Sequence, residues 1–165
     1  EIPFEIRVAA EVTLSDRLLQ EAKALERDFK GTIERGEIAK IIDEAKQYGY
    51  HLRREEIVLV LSQMLKKRME GLQDIMARTS PEEDKAKAVR IEEILKFLEL
   101  TEKWGFELSK EEAQDLMDEM LKEYVWSLEK SWWGESAKKP FPLNLIVLAE
   151  KLGFNMDRFS KMVSF

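Results

Sequence analysis

Apolar residues recur along most of this chain at intervals of three and four, the spacing that places side chains on one face of an α-helix. The clearest such stripe lies between Lys110 and about Trp132. The pattern predicts an all-α fold, an antiparallel bundle of six or seven helices. The helices are expected over about residues 3–30 (continuous, or restarting at 15), 34–48 with Tyr48 on the stripe, 53–77, 81–104, 110–132 and 143–152, with a short one after residue 155.

Residues 37–66 recur in pattern as residues 93–122, which predicts a duplicated hairpin. Each copy is an amphipathic helix, a glycine, an aromatic residue and a second helix. The glycine is Gly49 in one copy and Gly105 in the other, and Gly153 repeats the glycine–aromatic pair. Because glycine adopts the left-handed conformation without a Cβ penalty, we predict positive φ at all three, each at a helix C-terminus. We also predict that the two copies superpose.

Local signals mark where some helices begin and end. Ser80 and Glu83 have the spacing of a capping box, with proline at the first helical position between them. Ser109 and Glu112 predict a second capping box. Gly31 is predicted to end the first helical region.

The composition of the chain limits which classes of fold, cofactor and partner are compatible with it. The chain has 165 residues, 44% hydrophobic and 36% charged, which predicts a single helical domain over residues 1–165; residues 1–30 are a candidate link to an upstream domain. With no cysteine and one histidine, we expect no disulfide, no metal centre and no cofactor. A net charge of −6 argues against nucleic acid. Without a signal peptide or an apolar span, we expect a cytoplasmic protein and no membrane contact; few asparagines beside abundant Glu and Lys are typical of thermophile proteins.

The predicted contact surface follows the long helix that ends near Trp132. It comprises Trp132, Trp133, Lys138, Lys139 and Phe141. Neighbouring residues of a helix point about 100° apart, so both tryptophans cannot face one core. An exposed tryptophan beside lysines suits a sugar ring or a protein partner. Alternatively, Trp133 packs beneath the loop that follows it.

Other polar residues have structural interpretations. His51 follows a glycine turn, where a lone histidine is typical of a capping or surface position, although it could titrate. The pairs Glu55-Glu56 and Glu111-Glu112 fall in first helical turns, where the helix dipole stabilises negative charge. We therefore interpret them as structural residues and not as catalytic carboxylates. Lys66-Lys67-Arg68 is interpreted as a solvated face. We find no catalytic triad, phosphate-binding loop or metal-ligand spacing in the sequence.

The opening IPFEIRVAAE, the following Leu18-Leu19, and the phrases TEKWGFELSKEEA and LAEKLGFNMDRF resemble the helical C-terminal region of family-57 glycoside hydrolase-like proteins. The resemblance implies a non-catalytic accessory domain that supports or lines an α-glucan site. It implies an upstream catalytic barrel as partner; the family's catalytic carboxylates lie on that barrel, so none is assigned here. The alternative function is a protein–protein interaction or oligomerisation scaffold.

Overall fold

The computed structural model of the chain describes residues 2–78, 80–132 and 142–157, with side chains for all of these except 81, 128–132 and 143. These ranges contain seven α-helices and no strand, which confirms the predicted all-α helical fold. In chain order the helices are α1 (Phe4–Arg27), α2 (Phe29–Arg35), α3 (Glu37–Tyr48), α4 (Arg54–Met76), α5 (Pro81–Lys103), α6 (Glu111–Trp132) and α7 (Leu143–Lys151).

The chain divides into two compact units. The first contains Glu1–Met64 and Leu100–Ser109, and the second contains Leu65–Glu99 and Lys110–Phe165. The divisions fall inside α4 and near the end of α5, so these helices supply residues to both units. The single domain over residues 1–165 stays a prediction.

In the first unit, α1 packs against α2 and α3. The helical spacing of apolar residues in the sequence predicts which side chains are covered, and burial of one such side chain contributes about 1.5 to 3 kcal/mol. The buried apolar residues of α1 and α3 are Leu14, Leu18, Ala22, Leu25, Ile38, Ile41, Ile42 and Ala45. The predicted stripe was wrong at its end, because Tyr48 is the last residue of α3 and is 51% exposed. Its ring stacks on Tyr50 instead, with centroids 5.7 Å apart.

The second unit has its own apolar core. The side chains that make it are supplied by α4, α5, α6 and α7 at helical spacing. They include Leu65, Met69, Leu72, Ile91, Ile94, Phe97, Leu98, Ala113, Met117, Met120, Leu145, Leu148, Ala149 and Leu152.

One charged residue of α4 does not lie on a solvated face, contrary to the prediction for residues 66–68. The side chain of Arg68 is only 13% exposed and pairs with Glu93 at 3.7 Å. Its guanidinium lies over the ring of Phe97, 5.5 Å from the centroid. Arginine can be covered in this way because its stem is apolar and its planar head stacks on aromatic rings.

The three predicted glycine turns have the same backbone conformation. Gly49, Gly105 and Gly153 have φ of 66°, 78° and 99°, each at a helix C-terminus, which confirms the prediction. In each turn the next residue donates its N–H to the carbonyl five residues earlier, the pattern of a Schellman motif. The bonds run from Tyr50 to Ala45 (2.8 Å), from Phe106 to Thr101 (2.9 Å) and from Phe154 to Ala149 (3.0 Å). Superposition of the two complete copies stays a prediction.

Gly31 does not end the first helical region. It lies inside α2, and its N–H donates to the carboxylate of Asp28, the residue that caps α2. A Cβ at position 31 would lie 2.0 Å from an Asp28 oxygen, so glycine leaves room for the capping carboxylate. The chain turns instead at Gly36, whose φ is 65°.

The capping box at the start of α5 is formed as predicted. The N–H of Ser80 donates to Glu83 Oε2 at 2.8 Å, and the N–H of Glu83 donates to Ser80 Oγ at 3.3 Å. The pKa of the Glu83 carboxyl is lowered, first by the hydrogen bond from the Ser80 backbone N–H and then by the Ser80 side chain.

The second predicted capping box is wrong. Helix α6 begins at Glu111, one residue later than Ser109 would start it. The N–H of Ser109 donates to Ser62 Oγ at 3.0 Å, so a long-range partner takes the place of the predicted glutamate. The carboxylate of Glu112 pairs with Lys66 at 3.1 Å.

We predict opposite effects of alanine at two glycines. Gly105→Ala should destabilise the protein by about 1 kcal/mol, because φ of 78° strains an L-residue while its Cβ would meet only Arg54 at an ordinary 3.5 Å. The control Gly71→Ala lies inside α4 with its nearest neighbour 3.6 Å away, so it should stabilise by about 0.5 to 1 kcal/mol. Urea unfolding measures both; a stabilising Gly105→Ala would contradict the prediction.

We predict that Glu83 makes stability dependent on acid pH. Because the folded-state pKa is lowered, the carboxylate's contribution is complete above its ordinary value of 4.5 and is lost as pH falls through the lowered folded value. Glu83→Gln removes this titration while keeping an acceptor for the Ser80 N–H. Unfolding free energies between about pH 6 and pH 3 should therefore fall less steeply in Glu83→Gln than in Glu82→Gln. Equal slopes in the two variants would contradict it.

Candidate functional site

The residues of the predicted contact surface are mostly outside the part of the chain described. Trp132 is the last residue of α6, and its side chain is not among those described. Trp133, Lys138, Lys139 and Phe141 lie outside the described residues. Contact through these residues stays a prediction.

Sequence reasoning missed an exposed tryptophan on the same helix. Trp126 lies on α6 and is 61% exposed. The apolar stripe of α6 contains Tyr124 and Val125, and Trp126 stands one position beyond it. That position off the stripe is the signal that could have identified an exposed ring.

The other candidate residues have ordinary structural positions. His51 is exposed, and its backbone N–H donates to the carboxylate of Glu11 at 2.9 Å. The acidic pairs at 55–56 and 111–112 lie in the first turns of α4 and α6, as predicted. Among the described residues, no group of three or more acidic or histidine side chains is arranged to hold a metal ion.

The feature that best fits a binding role is the start of α1. Residues 4, 8, 11, 15, 18, 22 and 25 are separated by alternating steps of four and three, so they lie along one face of the helix. From position 15 onward this face is buried, by Ser15, Leu18, Ala22 and Leu25. Phe4 and Val8 continue the same face, yet they are 76% and 39% exposed. We name Phe4 and Val8 the exposed seam.

The exposed seam belongs to a helix that is held in place by three bonds. Side chains one turn apart on α1, at positions 7, 11 and 15, bond to the backbone of the turn between α3 and α4. Arg7 and Glu11 also pair with each other at 3.6 Å. The bonds are Arg7 Nη2 to the Gly49 carbonyl (2.9 Å), the His51 N–H to Glu11 Oε1 (2.9 Å) and the Arg53 N–H to Ser15 Oγ (3.0 Å). We name Arg7, Glu11 and Ser15 the α1 clamp.

The next glycine turn is held in the same way by α4. Arg54 Nη1 donates to the carbonyl of Gly105 at 2.8 Å, and its guanidinium lies 5.4 Å from the centroid of the Phe106 ring. Eight residues further along α4, Ser62 Oγ accepts the N–H of Ser109. Arginine and serine have the same separation in the α1 clamp. We name Arg54 and Ser62 the α4 clamp.

The second unit holds its own glycine turn with an amide. Gln114 Nε2 donates to the carbonyl of Leu152, the residue before Gly153, at 2.6 Å. These contacts share one signal in the sequence. A long polar side chain occurs near the start of the helix that bonds each turn.

Two open clefts adjoin the α1 clamp. One is lined by Phe4, Arg7 and Tyr48 among others, and the other by residues that include Lys46 and Arg54. The stacked rings of Tyr48 and Tyr50 connect the clefts. Among the described residues, no aspartate or glutamate lines either cleft. The charge of Arg7 is balanced by Glu11, which pairs with it at 3.6 Å.

A further cleft between α1 and α3 has a structural explanation. It is lined by charged residues that include Arg17 and Glu37. Arg17 pairs with Glu37 at 3.5 Å, and Lys40 Nζ pairs with the same carboxylate at 2.6 Å. The hydrogen bond from Lys40 is the main cause of a lowered pKa at Glu37. Because these charged side chains pair with one another, they link α1 to α3 and leave few unpaired groups for a ligand.

Comparisons with protein-family models, curated proteins and solved structures found no match. None of the helices in the described part of the chain has both the length and the apolar character to cross a lipid bilayer. The function is therefore inferred from the exposed seam, the clamps and the clefts beside them.

We predict unequal effects of removing the two clamp serines. Ser15 is 4% exposed, and the hydrogen bond that its Oγ accepts from the Arg53 N–H is part-buried. Ser15→Ala should therefore lower the free energy of unfolding by about 1 to 3 kcal/mol, because it leaves that N–H without a partner. Ser62→Ala should cost less than about 1 kcal/mol, because the bond from Ser109 is exposed and water can replace the hydroxyl. Both substitutions replace a serine inside a helix with alanine, so the gain in helix propensity is the same in the two variants. Urea unfolding measures them; equal losses would contradict the prediction.

Proposed function

We propose that this chain is a non-catalytic helical interaction domain whose binding surface begins at the exposed seam. The observation that carries the proposal is the continuity of one helix face from core to solvent. Scattered exposed apolar residues are normal on protein surfaces. Phe4 and Val8 differ because the face they continue is a packing face from Ser15 to Leu25. A second protein segment could cover them, as other parts of the chain cover that face further along α1.

The α1 clamp supports this function. The first turns of a helix that extends beyond its neighbours ordinarily fray, and a partner would then have to order them. Here Arg7 and Glu11, which are one helical turn apart on α1, bond the helix to the segment that follows α3. An ordered surface lowers the conformational entropy cost of binding. The clamp therefore favours a surface that is ready to bind.

The resemblance to family-57 glycoside hydrolase-like proteins supports a second candidate, an accessory domain that supports or lines an α-glucan site. The observation that favours it is Trp126, whose side chain is 61% exposed on the helix that leads to Trp132 and Trp133. Tryptophan faces stack on sugar rings. In this role the contact would extend over the predicted residues beyond α6, with a catalytic barrel as the other partner.

The interaction function is tested by replacing Phe4 with the photo-crosslinking residue benzoylphenylalanine in the full protein, expressed in its source cells. We predict one dominant protein adduct on irradiation, because the exposed seam contacts its partner directly. The matched control carries the same residue at Leu59, an apolar position of α4 that is 59% exposed. Val8→Glu combined with the probe at position 4 should reduce the adduct severalfold, since it places a charge in the contact.

Equal adducts from positions 4 and 59, or an adduct unaffected by Val8→Glu, would overturn the interaction function. Tryptophan fluorescence titrated with α-glucan distinguishes the second candidate. Saturable binding that is lost in Trp126→Ala or Trp133→Ala, and kept in Val8→Glu, would favour the accessory role in its place.

A further inference from the structure

We infer that Lys87 keeps the connection between α4 and α5 closed, and that removing its amine opens this connection while both helices stay folded. Lys87 Nζ donates to the carbonyl of Arg78 at 2.8 Å and pairs with Asp84 Oδ1 at 3.1 Å. We name Lys87, Arg78 and Asp84 the α4–α5 latch. The latch uses no residue of the exposed seam, so it goes beyond the proposed function.

The burial of Lys87 is unusual for its residue type, because a lysine is almost never fully buried unless it is paired. Lys87 is 8% exposed, and it is the only charged residue among the buried ones in the described part of the chain. It precedes Ile91 by four positions and Ile94 by seven, so it lies on the face of α5 that is buried further along. Its stem packs as an apolar side chain does, while its amine reaches a carbonyl.

Few other buried contacts hold this part of the chain. Among the described residues between Leu72 and Ile91, Lys87 is the only one that is buried. This stretch contains the last turn of α4 and the first two turns of α5. Segments with few buried contacts open at a low free-energy cost, before the rest of a protein unfolds. The contacts of Lys87 are therefore the main restraint on local opening here.

The end of α4 is closed by different chemistry from the glycine turns. There, backbone N–H groups donate to the last carbonyls of the helix. After α4, the N–H of Arg78 donates to the Ile75 carbonyl at 3.0 Å, and the Arg78 carbonyl accepts from the amine of Lys87. The capping box of α5 joins Ser80 only to Glu83, so it does not link the two helices. A side-chain ammonium makes this link, and one chemical change at that group removes it.

The first test removes the amine and keeps the stem. Lys87→Met leaves an unbranched apolar side chain without a donor, and the control Lys85→Met replaces an exposed lysine two residues earlier on α5. Hydrogen–deuterium exchange is measured on the full chain. We expect the amides between Met76 and Lys87 to exchange at least about tenfold faster in Lys87→Met, with those of α6 unchanged. The control should exchange like the unaltered protein.

Proteolysis tests the same contact at the carbonyl. An arginine-specific protease that cleaves after Arg78 must place this carbonyl in its oxyanion hole, so the bond from Lys87 has to break first. We expect cleavage after Arg78 to be at least about tenfold faster in Lys87→Met than in Lys85→Met. Neither substitution adds or removes an arginine, so both variants offer the protease the same sites.

A measurement on the unaltered protein does not depend on how the variants fold. An acylating reagent reacts with the lone pair of a free amine, and a buried ammonium that donates to Arg78 and Asp84 does not present one. Brief treatment with an N-hydroxysuccinimide ester, followed by mass spectrometry, should find Lys87 modified at least about tenfold more slowly than Lys85.

The inference is overturned if exchange or cleavage is the same in Lys87→Met and Lys85→Met, or if Lys87 is acylated as fast as Lys85. It is also overturned if exchange in Lys87→Met rises equally in α6, because Lys87 would then support the whole fold and not this connection. Faster exchange and cleavage confined to the connection, together with slow acylation of Lys87, would establish the latch.

Discussion

The glycine turn bonded by a side chain from a neighbouring helix is the contact on which the arrangement of this protein depends. A helix leaves its last carbonyls without internal partners, and the Schellman bonds at Gly49 and Gly105 satisfy two of them. The carbonyl of the glycine itself then points outward, where Arg7 or Arg54 donates to it. Positive φ reverses the chain, and the arginine determines which helix lies beside the reversal. Both arginine bonds are exposed, so each favours one placement of the returning helix while water can replace the donor to the carbonyl.

Features decided within a few residues were predictable from sequence, and features decided by distant partners were not. The positive φ at the glycine turns and the Ser80 capping box depend on local backbone geometry, and both are present. Ser109 has the same local signal as Ser80, but Ser62 competes for its N–H from another helix. Arg68 is covered for a similar reason, because an aromatic ring far along the chain lies beside it.

The candidate site shows the same division more sharply. Periodicity identifies which face of α1 is apolar, but it cannot tell which part of that face another element covers. Phe4 and Val8 are indistinguishable in pattern from the buried positions at Leu18 and Leu25. The α1 clamp, which holds this part of the helix, joins residues about forty positions apart in sequence, a distance that local pattern does not reach. Sequence pattern points to the tryptophan surface instead, because adjacent aromatic residues are conspicuous in a sequence.

The small size of the exposed seam limits the affinity with which it can bind a partner. Covering one large apolar side chain contributes about 1.5 to 3 kcal/mol, so Phe4 and Val8 together supply only a few kcal/mol before the cost of association. An interface restricted to these two residues would therefore be weak. Useful affinity requires the partner to reach the neighbouring clefts as well. The apolar pair accordingly sets where a partner would sit, and contacts in the clefts must supply the rest of the binding free energy.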